Sequence, residues 1–243
     1  MMRSTFNARP STWLQLPLSF DVRQMQRDSS QFIAGDWIKH FNTGAYEYGW
    51  SCVPLRSPGG EAAHIVPINE ALYADTPQLL RCPYLRTVID QFRCNAGAVR
   101  LMALAPGAVI HAHRDAGTAL MDGLTRIHIP IQTSPQVLFS IDGESVHFTA
   151  GHAWYMDASC LHAVENRGMA PRIHLVIDCL TNAWLQALFA RAGFVPKAAA
   201  RYGDPSINDG NVHAVITQLR ASATPATQAM ADRLATLAQG SGT

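Results

Sequence analysis

Between Gly97 and Leu180 the chain is a succession of short apolar segments, each cut off by turn-forming residues. No other feature constrains its fold as strongly. The segments are Ala98–Leu104, Thr125–Ile131, Val137–Ile141, Val146–Phe148, Ala153–Met156, Ala163–Glu165 and Arg172–Cys179. Between them stand Ala105-Pro-Gly107, Ser134-Pro135, Asp142-Gly143, Ala150-Gly151, Asp157–Ser159 and Asn166–Pro171. Asp142-Gly143 joins two alternating segments and predicts a hairpin, because both residues tolerate the positive φ of a tight turn. A parallel α/β sheet would need crossover helices that these short gaps cannot hold. The spacing therefore predicts a mainly β architecture, a barrel or a double-sheet jelly roll.

The flanks read differently. Residues 1–96 are mixed, with a strand around Tyr48–Leu55 followed by the turn Ser57-Pro-Gly-Gly60. Pro83 opens an amphipathic helix whose Leu85, Val88, Ile89 and Phe92 recur at helical spacing. In residues 181–243 a helix follows the Thr181/Asn182 cap with Trp184, Leu185, Leu188 and Phe189 as its stripe, and Gly193 stops it. Val212, Val215, Ile216 and Leu219 form a second stripe, and Met230, Leu234 and Leu237 a third after Pro225. Supporting helices at both ends of a β core (97–180), within a single domain spanning 1–243, are the expectation.

Composition excludes several functions. With 19 basic and 18 acidic residues the formal charge is +1, and no Lys/Arg block marks a nucleic-acid surface. No apolar run is long enough to span a bilayer. The N-terminus lacks the apolar core of a secretory signal. Cys52, Cys82, Cys94, Cys160 and Cys179 are odd in number, with no C-x-x-C pair. Reduced thiols in a cytoplasmic protein are expected.

The chemistry concentrates in Gly107–Asp115. His111, His113 and Asp115 alternate, so an extended segment would present them on one side. His-x-Asp alone is a weak signal, because ten histidines make a surface or hydrogen-bonded pair common. His162, which stands 49 residues beyond His113, supplies the second imidazole of a two-His, one-carboxylate set suited to divalent iron. Arg172 opens the strand Arg172-Ile-His174, and Arg126-Ile-His128 echoes it upstream. In each, Arg and His share one face while Ile127, Ile129 and Ile131, or Ile173, Leu175 and Ile177, share the other. Such a strand lines a charged cavity or faces solvent. Arg172 reads as a rim salt bridge or as a bidentate clamp on a small diacid.

Gly107–Asp115, Arg126–Ile131, Gly151-x-x-Trp154, Asp157, His162, Asn166 and Arg172–Asp178 together resemble the aspartyl/asparaginyl β-hydroxylase family, which includes bacterial enzymes that hydroxylate free proline. The resemblance implies a double-stranded β-helix, with iron(II) held by His113, Asp115 and His162. It implies Arg172 on the C5 carboxylate of 2-oxoglutarate, and Arg126 and His128 near the C1 end. Iron(II), 2-oxoglutarate and O₂ are the implied cofactors, with ascorbate as an in vitro reductant. Some family members have no carboxylate at the position of Asp115; its presence here implies hydroxylation of a free amino acid or small derivative.

Three alternatives stay open. One is a hydroxylase of peptidyl or carrier-bound amino acids. Another is a cupin-like metalloenzyme that uses the triad without 2-oxoglutarate. The third is a non-catalytic small-acid-binding jelly roll. Arg100 and His111 are weaker candidates for cofactor or substrate contact, and Trp50 and Arg56 for the substrate mouth. Asp178 reads as structural, and His174 as a supporting or satisfied pocket residue. His40, His64, His147, His152 and His213 have no constellation around them.

Overall fold

The computed structural model describes residues 10–197, 201–204, 206–222 and 224–239. The first nine residues, part of the segment on which the expectation about a secretory signal rests, lie outside them. Chain contacts divide the molecule into two compact units, Met1–Pro196 and Lys197–Thr243.

Among its described residues the first unit holds twelve strands, all paired antiparallel. In chain order they are β1 (Trp13–Ser19), β2 (Ile38–Lys39), β3 (Trp50–Pro58), β4 (Tyr73–Asp75), β5 (Ala96–Leu104) and β6 (Val109–His113). There follow β7 (Leu124–Gln132), β8 (Val137–Ile141), β9 (Glu144–Val146), β10 (His152–Met156), β11 (His162–Asn166) and β12 (Arg172–Leu180). The larger sheet runs β1-β10-β7-β12-β5-β3-β2 with β4 paired to β3, and the smaller runs β6-β11-β8-β9. Two antiparallel sheets cross-connected in this order make the double-sheet jelly roll expected from the strand spacing, in the double-stranded β-helix form that the resemblance implies.

Strand alternation sorts the side chains into layers. On the outer face of the larger sheet, Ile127, Ile129, Ile131, Leu175 and Ile177 are fully buried. They form one core with the helices α1 (Val22–Ser29), α3 (Pro83–Asp90) and α4 (Ala183–Arg191) through Met25, Leu85, Val88, Leu185, Leu188 and Phe189. A one-turn helix, α2 (Pro77–Leu80), precedes α3. The buried carboxylate of Asp28 in α1 accepts the Tyr84 and Leu85 amides at the start of α3, both at 2.8 Å. Two amides that have no intrahelical partner are thereby satisfied. The other core lies between the sheets and is aromatic, with Phe139 stacked on Phe148 and Phe148 on Trp154.

Turn chemistry fixes the register. Asp142 (φ 49°) and Gly143 (φ 83°) form the hairpin, with Ile141 opposite Glu144. Because only two residues turn the chain, β9 begins at Glu144, earlier than the expected Val146–Phe148 segment. Gly151 has φ 78°, and a Cβ there would lie 2.8 Å from Val22 and 2.9 Å from the Phe20 carbonyl. Any larger residue would push β10 away from the start of α1.

In the second unit, α5 (Val212–Ala221) and α6 (Pro225–Gln239) bury Val212, Ile216, Ala231 and Leu234 with Tyr202 in a cluster of their own. Among the described residues no helix is long and apolar enough to cross a membrane.

Candidate metal centre and its cavity

The inner face of the larger sheet and the facing strands β6, β8 and β11 enclose a cavity of about 330 Å³. His113, Asp115 and His162 meet at its wall, with potential ligand atoms within 4.8 Å of one another. His162 opens β11 directly opposite His113, the last residue of β6. The loop that follows β6 is tied to the turn before β11: the Asp115 amide donates to the Ala158 carbonyl at 2.8 Å, and the Arg114 guanidinium to the Ser159 carbonyl at 2.9 Å. Asp157 shapes that turn by accepting the Ser159 amide at 3.1 Å.

Both imidazoles are oriented by backbone. His113 Nδ1 lies 2.8 Å from the His111 carbonyl and His162 Nδ1 lies 3.0 Å from the Cys160 carbonyl. A carbonyl only accepts, so each Nδ1 carries the proton and each Nε2 presents its lone pair. Asp115 Oδ2 accepts from Arg126 at 2.6 Å, while Oδ1 faces His113 Nε2 at 3.7 Å. Burial holds the His162 pKa below the usual histidine value, which keeps the ring in its ligating form. This donor set fits a divalent metal with coordination positions left for small ligands.

β6 departs from the expected alternation. Val164 pairs with Ile110 and His162 with His113, so β6 carries one residue more than β11 over this interval. The bulge sets Ile110 and His113 on the cavity, while His111 is exposed and lines a separate surface depression with Tyr48 and Gly107. The expectation that His111 shares the side of His113 and Asp115 is thereby corrected.

The buried end of the cavity is cationic and unsatisfied. Arg172, 2% exposed, makes no hydrogen bond or ion pair among the described residues; its guanidinium lies 5.7 Å from the Phe139 ring centre. Desolvation pulls its pKa down to about 10. His128 lines the same region and His174 lies behind it, 5.8 Å apart between ring centres, and all four of their ring nitrogens lack partners among the described residues. Burial holds both rings neutral, well below the usual histidine pKa. Unpaired polar groups at this depth are expensive unless a ligand meets them.

Arg126 is placed otherwise. Besides Asp115, it reaches Asp178 through Nε at 2.7 Å and its other terminal nitrogen at 3.3 Å. Asp178 also accepts from Arg100 at 2.7 Å. Asp178 thus secures two cavity arginines, a part consistent with the structural reading of it. Burial would raise the Asp178 pKa, but Arg126 and Arg100 outweigh it and hold the carboxyl below its usual value. Arg56 stands apart, paired with Asp75 at 2.8 Å.

One cavity residue had no sequence signal. His40 stacks on Trp50 with ring centres 3.4 Å apart and accepts the Asn42 amide at Nδ1. Its pKa is driven down to about 3, mainly by burial. A lone histidine in an irregular segment gives sequence reading nothing to join it to.

Residues 19–182 match the family model described as aspartyl/asparaginyl beta-hydroxylase. L-proline cis-4-hydroxylase of Rhizobium meliloti (strain 1021) is 25% identical over 169 residues, covering 69% of this chain and 60% of that protein. L-proline cis-3-hydroxylase 1 of a Streptomyces species is 27% identical over 143 residues, covering 53% and 46%. The chain thus spans about half to three-fifths of the length of these curated relatives. A Pseudomonas putida prolyl-4-hydroxylase crystal structure superposes with a TM-score of 0.45 at 12% identity, covering 71% of this chain and 94% of that one.

Proposed function

From its membership of the aspartyl/asparaginyl β-hydroxylase family, we propose that this chain is an iron(II)- and 2-oxoglutarate-dependent hydroxylase of a free amino acid or small amino-acid derivative. Iron(II) bound by His113, Asp115 and His162 would supply the oxidising chemistry. One atom of O₂ enters a substrate C–H bond as hydroxyl; the other enters succinate as 2-oxoglutarate loses CO₂.

The observation that carries the reading is Arg172. A buried guanidinium with no partner among the described residues, in the cavity that also holds the triad, fits the distal carboxylate of 2-oxoglutarate. Bidentate pairing would satisfy the fork and offset its desolvation. His128 offers unspent ring nitrogens to the same ligand. Arg126 is committed to Asp115 and Asp178, so we read it as acting through Asp115: it occupies Oδ2 and leaves Oδ1 to the metal. Ile110, Val164 and Met156 would set an apolar wall beside the reacting carbon. A cavity of about 330 Å³ suits a small acid beside the co-substrate.

The test is incubation of the purified protein with iron(II), 2-oxoglutarate, ascorbate and O₂. Free amino acids, peptides and carrier-bound aminoacyl groups are offered in parallel. Succinate released together with a product one oxygen atom heavier supports the reading. Hydroxylation of peptides or carrier-bound groups alone would retain the oxygenase and remove the small substrate. Tight 2-oxoglutarate binding without turnover of any substrate would favour a binding protein.

A further inference from the structure

Four guanidinium groups line the cavity, from Arg100, Arg114, Arg126 and Arg172. Arg100 and Arg126 are neutralised by Asp178 and Asp115. Arg172 is buried and, on the reading above, belongs to the co-substrate. Arg114 remains. It is exposed, and among the described residues it makes no ion pair and one hydrogen bond, to the neutral carbonyl of Ser159 at 2.9 Å. That bond ties the side chain to the turn preceding His162, and in sequence Arg114 sits between the ligands His113 and Asp115. The cavity therefore has two unneutralised cations, one at its buried end and one at its rim, with the triad among its walls.

Acidic groups are distributed as unevenly. Among the described residues lining the cavity, Asp115 is the one carboxylate, and Arg126 already holds its Oδ2. His40 is neutral, since its Nδ1 accepts the Asn42 amide. A zwitterion entering this space meets a free guanidinium for its carboxylate and no free carboxylate for its ammonium. The positive potential selects anions, and burying an unmatched ammonium carries a penalty.

We propose that Arg114 anchors the substrate carboxylate at the cavity rim, and that the substrate is recognised as a carboxylic acid whose nitrogen is not read by charge. Free and N-acylated amino acids then belong to one substrate class, and amino-acid amides fall outside it. This rests on the oxygenase reading. The carbon chain runs from Arg114 along Trp50 and Ile110 towards the triad, and the face of Trp50 is stiffened by His40 stacked on it. Because Arg114 is exposed, its attraction for an anion weakens as salt rises.

The experiment uses the iron(II)-loaded protein with 2-oxoglutarate. Each proteinogenic amino acid is offered as the free acid, the N-acetyl acid and the carboxamide, and succinate and oxygenated product are measured. Acids and N-acetyl acids should turn over while their amides do not. Arg114→Gln should raise KM for the acid about tenfold, the scale of one charge-assisted hydrogen bond, with KM for 2-oxoglutarate unchanged. Arg114→Lys should recover part of the loss, and replaces the Gln variant if that one loses its metal.

Equal use of amides and acids overturns the proposal. So does an unchanged acid KM in Arg114→Gln, or loss of every substrate on N-acetylation. If the whole panel is silent while 2-oxoglutarate still raises the melting temperature, this proposal fails and the oxygenase reading stands. If 2-oxoglutarate does not bind, both fall.

Discussion

Replacing Arg172 by Met should make the ligand-free protein more stable while abolishing its response to 2-oxoglutarate. The Arg172 guanidinium is 2% exposed and unpaired among the described residues, and desolvation draws its pKa from the usual arginine value down to about 10. For a base with a depressed folded pKa, the unfolded chain holds the proton more tightly. The penalty is therefore fully present below the folded value and fades only as pH rises from there to the unfolded one. At neutral pH it amounts to about 3 kcal/mol, at 1.36 kcal/mol per pKa unit. Met keeps an unbranched chain against Phe139 and removes the charge. After about 1 kcal/mol of imperfect repacking, a net gain of about 2 kcal/mol remains. For a chain of this size that raises Tm by roughly 4–8 °C. Thermal denaturation with and without 2-oxoglutarate, with manganese(II) in place of iron(II), reads both effects. Wild type should gain about 2.7 kcal/mol at a ligand concentration one hundred times Kd, and Arg172→Met nothing. A variant that melts below wild type and still responds to 2-oxoglutarate would refute the reasoning.

Arg126→Gln should weaken metal binding about 10- to 100-fold, the usual consequence of losing a group that orients a ligand, although Arg126 itself is not among the ligands. Metal titration followed by fluorescence checks this, and affinity equal to wild type would remove Arg126 from that part. Acid should destabilise the fold early, because His40, His128 and His174 stay neutral in it below the usual histidine pKa. Below about pH 6.5 the unfolded chain takes up protons that these buried rings refuse, so stability present at neutral pH is lost as pH falls, by up to about 4 kcal/mol per pH unit for three such groups. Urea denaturation at a series of pH values measures the slope, and a flat profile from about pH 6.5 to 5 would show that these rings are protonated in the native state.

The parts of this molecule that obey a period were legible in its sequence. Ile127, Ile129 and Ile131 alternate with Arg126 and His128, and the structure keeps that division: the isoleucines enter the helix-covered core and the polar pair faces the cavity. Strand β12 repeats it with Leu175 and Ile177 against Arg172. Asn182 caps α4 by accepting the Leu185 amide, as its position predicted. What escaped lies where the period breaks. The bulge in β6 inserts one residue, and parity counted through it turns His111 the wrong way. Strand β1 contains Pro17, which argues against a central strand and is tolerated because β1 is the edge of its sheet. Helix α1 has Met25 as its one buried apolar residue and therefore no stripe. Its signal was the cap, Asp21 accepting the Gln24 amide three residues on.

The buried charges show why alternation placed Asp178 correctly yet said little of its use. Arg126 and Asp178 are register partners on β7 and β12, and Arg100 stands on the next strand, β5, opposite Val176. Three neighbouring strands thus carry Arg, Asp and Arg on the sheet face beneath the cavity, and the outermost arginine continues to Asp115. A buried pair of this kind adds little stability over an apolar replacement, since desolvation consumes most of the attraction. Removing one member, however, leaves the others unpaired at full penalty. Arg126 is therefore confined to one orientation between two carboxylates, and that confinement reaches the metal: Asp115, on a loop beyond the end of β6, inherits a fixed direction from the rigid centre of the larger sheet. The loop is held by the Asp115 amide on Ala158 and the carboxylate by Arg126, so the backbone is secured by the turn before β11 and the side chain by the larger sheet. A ligand outside regular structure is in this way positioned as firmly as one on a strand.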